Sequence, residues 1–120
     1  MAIRTRNPAA FIPLTPLDFQ VLTLLATREL HGYGIAQAAD DAFPGQPPLD
    51  VGSLYRIVSR MLDDGLIREV KPPPAAPDDR RVRRYYAATE LGRAVVRAEA
   101  ARMRALLASP ATLRLLRADG

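Results

Sequence analysis

The chain has 120 residues, a net charge of +4, a sequence pI of about 10.1 and 48% hydrophobic residues, which suits one folded domain and not a disordered segment. It has no cysteine, so disulfides and thiolate metal sites are excluded. No apolar run approaches the ~20 residues of a membrane span, and the N-terminus lacks the apolar core of a secretory signal, so the expectation is a cytoplasmic protein. The charge is uneven. Residues 1–50 carry three Lys/Arg against five Asp/Glu, and residues 51–120 carry fourteen against eight. A basic second half suits a polyanionic partner.

Residues 1–13 read as a flexible arm, because Asn7-Pro8 and Pro13 break regular structure near a chain end. Thr15-Pro16 then opens a helix, with a hydroxyl cap followed by proline at the first helical position. It is expected to run to about Glu29. Leu17, Val21, Leu24 and Leu25 form one apolar arc, and Phe19, Leu22 and Ala26 form another roughly opposite. A helix apolar on two sides needs cover on two sides, and in so small a chain a second subunit is the expected source. His31-Gly32 is a joint. His31, the only histidine, has no metal or triad partner in the sequence and suits a loop or cap. A second helix, Gly32 to Phe43, would turn Ile35, Ala38, Ala39 and Ala42 inward and Tyr33, Gln37 and Asp40 outward. Pro44-Gly45-Gln46-Pro47-Pro48 ends it.

The third helix is the most informative stretch. Asp50 is a good N-cap, and Gly65 a good stop in the left-handed conformation. Val51, Leu54, Val58, Met61 and Leu62 share an apolar arc. Gly52, Ser53, Arg56, Ser59 and Arg60 lie opposite. Most amphipathic helices merely solvate such a polar face. Yet arginine can fork onto guanine and serine can meet bases or phosphates, so the same face would suit a DNA major groove. Helix, joint, helix, turn, helix is the helix-turn-helix order.

Leu66 to Lys71 is strand-like, Pro72 to Asp79 is an extended proline-rich loop, and Arg80 to Ala87 is a basic returning strand. In that strand Val82, Arg84 and Tyr86 would face one side, and Arg81, Arg83 and Tyr85 the other. From Lys71 to Arg84 there are five basic and two acidic residues. Such charge can protect an edge strand from self-pairing, but behind a three-helix unit it suits a wing that tracks phosphates. Thr89 caps a fourth helix, Glu90 to about Ala108. Its arcs are Leu91, Val95, Ala98, Ala105 and Leu106, and Val96, Met103 and Leu107. Arg93, Arg97 and Arg104 mark the exposed side, while Arg102 points into the first arc with no evident partner. Ser109-Pro110 starts a short last helix to Ala118. The fold class is therefore mainly α with a small antiparallel β-hairpin. Residues 14–88 form a winged helix-turn-helix domain, and residues 89–120 a dimerisation helix with a terminal one.

Four segments, in order and at matching spacing, carry a resemblance. They are Leu30-His31-Gly32-Tyr33-Gly34-Ile35, Gly52-Ser53-Leu54-Tyr55-Arg56, Met61 to Ile67, and Arg84 to Arg93. Together, over about residues 14–107, they resemble the PadR family of bacterial transcriptional regulators. The resemblance implies a winged-helix homodimer in which the C-terminal helix packs on the partner's first helix. It also implies a DNA-binding repressor at a pseudo-palindromic operator. Tyr33 and Tyr55 match family tyrosines near the DNA backbone, Ser53 and Arg56 match the reading helix, and Arg80, Arg81, Arg83 and Arg84 match the wing. Arg56 stands where many members have proline, and the C-terminal region is short. With no tryptophan, the aromatic drug pocket of some relatives is not implied.

The expected DNA-contacting set is Tyr33, Gln37, Ser53, Tyr55, Arg56, Ser59, Arg60, Lys71, Arg80, Arg81, Arg83 and Arg84. The expected dimer interface is Phe19, Leu22, Ala26, Val96, Met103 and Leu107. Double-stranded DNA, a second copy and a small-molecule effector between the C-terminal helices and the reading heads are the candidate partners. A module that docks another protein through the apolar sides of the first and fourth helices is the alternative. Catalysis is not expected, since there is no nucleophile–base pair, phosphate loop or metal-ligand cluster, and no cofactor is implied.

Overall fold

The structure is a computed structural model and describes residues 7–72 and 83–118. Among the described residues, five α-helices and three short strands follow a 3-10 turn at Pro8–Phe11: α1 (Pro16–Thr27), β1 (Leu30–His31), α2 (Gly32–Ala42), α3 (Val51–Asp63), β2 (Ile67–Val70), β3 (Tyr85–Ala88), α4 (Glu90–Leu107) and α5 (Pro110–Ala118). Local chemistry sets most of the boundaries. Thr15, Asp50 and Thr89 each accept a backbone N–H from the first turn of the helix they cap, and Pro16 follows Thr15. Gly65 ends α3 with φ +75. Around it the Leu66 N–H donates to Met61 O and the Gly65 N–H to Leu62 O, the Schellman closure that glycine permits.

α1 stops at Thr27, two residues short of the expected end, because Leu30 and His31 leave the helix to pair with β3. The sheet is thus three-stranded and antiparallel, in the order β1-β3-β2. His31 faces Tyr85, and Val70 faces Tyr85 from the other side. As the central strand, β3 is buried at all four residues, so Tyr85 and Tyr86 do not divide into an inner and an outer side. Burial raises the Tyr86 phenol above its ordinary pKa, and the Glu69 carboxylate adds to the shift.

The core is built on Val21, Leu22, Leu25, Ile35, Met61 and Val95, each under 2% exposed. Ile57, which the helical arcs left out, is also buried. Val51 is 68% exposed in a first turn that projects past the core, and Ala42 is exposed at the last residue of α2.

Two expectations are corrected, one about the faces of α1 and α4 and one about the N-terminal segment. The second apolar side of α1 is covered in part within the protomer, because α4 packs on it and buries Leu22. Leu22 is fully buried and Val96 nearly so, which removes both from any dimer surface. Phe19, Ala26 and Met103 remain half-buried, and Leu107 is exposed. The close approach depends on Gly92, where a Cβ would lie 2.0 Å from the Leu66 carbonyl oxygen and 3.2 Å from Leu22 Cδ1. Second, residues 7–13 are not a free arm. Asn7 caps the 3-10 turn, and Phe11, Ile12 and Leu14 pack against the core. The Leu14 N–H donates to Glu99 Oε2 at 2.8 Å. Glu99 is fully buried, and Arg102, the arginine without an evident partner, forks onto it at 2.6 and 3.0 Å. Arg102 holds the Glu99 carboxyl below its ordinary pKa, burial opposes the shift, and the Leu14 amide reinforces it.

Gly92→Ala should cost about 3 kcal/mol, because a backbone carbonyl and not a side-chain tip must give way; urea unfolding checks this. Glu99 supplies a pH-dependent contribution. Folding lowers its pKa, so the contribution is complete above the ordinary value of 4.5 and is lost as pH falls through the lower folded value. The urea midpoint of Glu99→Gln should lie below that of the native chain at pH 7, and the gap should narrow as pH drops below 4.5.

Candidate nucleic-acid interface

His31 joins three elements. It ends β1, and its Nδ1 accepts the Gly34 N–H at 3.0 Å, which makes it the N-cap of α2. The Tyr85 ring meets it edge-on at 5.1 Å between centroids, and the Tyr33 ring lies parallel to it at 6.5 Å. Arg83 Nη1 lies 3.1 Å from His31 Nε2 and 3.4 Å from Nδ1. The base of the wing therefore rests on the cap of α2. Around this point an open cleft of about 590 Å³ is lined by His31, Gly32, Tyr33, Tyr55, Arg83, Arg84 and Tyr86. Tyr33 and Tyr55 are 64% and 58% exposed there, and the Tyr55 ring lies beside Gly32 at the start of α2.

Beside the cleft, the first turn of α3 carries a connected polar chain. Asp50 Oδ1 accepts the Ser53 N–H at 2.8 Å. Ser53 Oγ donates to Asp50 Oδ2 at 2.8 Å and accepts from Arg56 Nη2 at 3.0 Å. The Ser53 amide and hydroxyl hold the Asp50 carboxyl below the usual carboxylate range, and the Arg56 charge adds to this. Arg56 is thereby anchored at the helix start with its remaining donors exposed. Gln37 is exposed on α2, Ser59 on α3 and Lys71 at the end of β2.

The structure brings together Tyr33, Tyr55, Arg83 and Arg84, with Ser53 and Arg56 alongside. It does not bring Arg60 there. Arg60 is exposed on α3 and pairs there with Asp18 in the first turn of α1. Arg80, Arg81 and the proline-rich tip lie outside the described residues. His31 and Tyr86 were not expected in the cleft. The one hint was that a lone histidine directly precedes Gly32-Tyr33. Among the described residues no group of three His, Cys, Asp or Glu could hold a metal ion, and no helix is long and apolar enough to cross a membrane.

The profile of the transcriptional regulator PadR-like family matches residues 21–98. The chain belongs to the PadR-like family. It is a family of transcriptional regulators, not of enzymes. Solved structures share the fold. A transcriptional regulator from Clostridium thermocellum aligns with TM-score 0.60 and 20% identity over 75% of this chain and 82% of its own. A PadR family regulator from Clostridium difficile aligns with TM-score 0.61 and 20% identity over 75% and 88%. Bacillus subtilis PadR, solved in complex with operator DNA, aligns with TM-score 0.57 and 19% identity over 68% of this chain and 45% of its own. No curated protein sequence matches the chain. Within the PadR-like fold, the cleft lies between the second helix, the third helix and the wing base.

His31→Ala removes the cap of α2 while leaving the sheet pairing of its backbone intact. A loss of about 1 kcal/mol is expected in urea unfolding, with β-sheet content unchanged by circular dichroism.

Proposed function

We propose that this chain is a homodimeric repressor that binds a pseudo-palindromic operator. The observation that carries the reading is the convergence of Tyr33, Tyr55, Arg83 and Arg84 on one open cleft beside the exposed polar start of α3. A helix start that presents a hydroxyl and an anchored guanidinium suits base edges in the major groove. Two tyrosines and two arginines flanking it suit the phosphates on either side, which set register and orientation. The operator complex of the Bacillus subtilis relative supports the same use of the fold. Two copies related by a two-fold would place their α3 helices one helical turn apart, ~34 Å. A small-molecule effector bound between the C-terminal helices and the heads would act by changing that spacing.

The experiment is selection of genomic fragments on the purified protein, followed by titration of the best fragment at several salt concentrations. Failure to enrich any fragment would overturn the reading. The variant Arg83→Ala/Arg84→Ala should weaken binding to all fragments alike and reduce the slope of log K against log salt by about 2, roughly one per phosphate contact. Arg56→Ala should instead cost about 1–3 kcal/mol on the selected fragment and relax its sequence preference, if the guanidinium reads a base.

A further inference from the structure

His31 is the only histidine in the chain, and its two ring nitrogens have different surroundings. Nδ1 accepts the Gly34 N–H at 3.0 Å, so the lone pair is on Nδ1. A neutral imidazole has one acceptor and one donor nitrogen, which puts the proton on Nε2. Nε2 lies at the base of the wing, 3.1 Å from Arg83 Nη1, and the same Nη1 is 3.4 Å from Nδ1. In this tautomer the guanidinium can donate to Nδ1 and not to Nε2. Nε2–H and Arg83 are therefore two donors side by side, and two such donors repel unless they share an acceptor.

Both residues line the open cleft of about 590 Å³. Its walls add further donors in the Tyr33 and Tyr55 hydroxyls and the Arg84 guanidinium, and among the described residues that line it none is acidic. The ring is held in place, with Tyr33 parallel to it and Tyr85 edge-on. Its donor nitrogen is thus set before any ligand is met. An anionic oxygen is the acceptor that suits a guanidinium and a neutral N–H at once. The cleft lies beside the polar start of α3, so a phosphate at the edge of the groove that α3 enters is the oxygen that reaches it.

We propose that His31 Nε2–H and the Arg83 guanidinium together seat one phosphate of the DNA backbone. One nitrogen of His31 caps α2, and the other meets the phosphate. The contact is made by a neutral donor and not by a third charge. This inference rests on the operator-binding reading above and adds His31 to the residues that touch DNA.

Asparagine and glutamine separate the two nitrogens. In His31→Asn an amide oxygen stands near the place of Nδ1 and can still cap α2, but the Nε2 donor is gone. In His31→Gln the amide nitrogen reaches the place of Nε2, and the cap is gone. Both lose the ring, so its packing on Tyr33 and Tyr85 cancels between them. Full-length variants are unfolded in urea and titrated with a selected duplex and a scrambled duplex of equal length. His31→Asn should keep a urea midpoint near that of the native chain. It should bind both duplexes about tenfold more weakly, the scale of one hydrogen bond to a charged acceptor. Its slope of log K against log salt should not change, because a neutral donor releases no counterion. His31→Gln should unfold at lower urea and regain most of the affinity. Two variants that bind alike, or a His31→Asn that binds as the native chain does, overturn the seat. A slope that falls by about one in His31→Asn overturns the neutral donor.

The single imidazole gives a second reading by nitrogen NMR. Nε2 should carry the proton, and its signal should move on adding inorganic phosphate and not on adding chloride at equal ionic strength. Equal shifts with both salts overturn the seat. A chain that binds neither duplex yet shows the phosphate-specific shift overturns the operator reading and the backbone as the source, and keeps the donor pair as a seat for free phosphate.

Discussion

The Leu66 carbonyl is the point on which the two halves of the fold close. It accepts the Thr89 N–H at 3.0 Å, while the Thr89 hydroxyl donates to the adjoining Gly65 carbonyl at 2.6 Å, so two adjacent backbone oxygens tie the exit of α3 to the start of α4. The same threonine caps α4 through Gly92 N–H. Because Gly92 has no side chain, α4 can lie against the Leu66 carbonyl and continue across α1. The direction of α4, the burial of Leu22 and Val95, and the seating of residues 11–14 on α4 all follow from that contact. A larger residue at position 92 would act as a wedge at the base of the winged-helix head.

Around that junction the chain separates two tasks. One side of the head is apolar and closed, with α1 held between the other helices and α4. The other side is polar and open, and its members are held by bonds among themselves: Asp50 to Ser53 to Arg56 on α3, and Gly34 to His31 to Arg83 between α2 and the wing. Side chains ordered in this way lose less freedom on meeting a ligand. The terminal helix, α5, belongs to neither side, and its leucines find no cover within the protomer.

What could be read in the sequence was local. Caps at Thr15, Asp50 and Thr89 and the stop at Gly65 depend on neighbours within a few residues, so they were legible, as was the outward placing of Tyr33, Gln37, Ser53 and Arg56. Contacts across long separations were not. Glu99 bonds to Leu14 across 85 residues, and a glutamate on a helix that is polar on one side gives no sign of being buried. A helical arc gives the direction of Arg60 but not the presence of Asp18 at the far end of α1. The two apolar sides of α1 stated how much cover the helix needs, but not that α4 of the same chain supplies part of it. β1 was missed because two residues are too short for any periodic pattern, and only pairing with β3 defines them.

The contact between Arg83 and His31 has a mechanical consequence. Arg83 and Tyr85, at the base of the wing, both meet His31, the N-cap of α2, so the wing and α2 are joined through that residue. A displacement of the wing's base would therefore reach the first turn of α2 through His31.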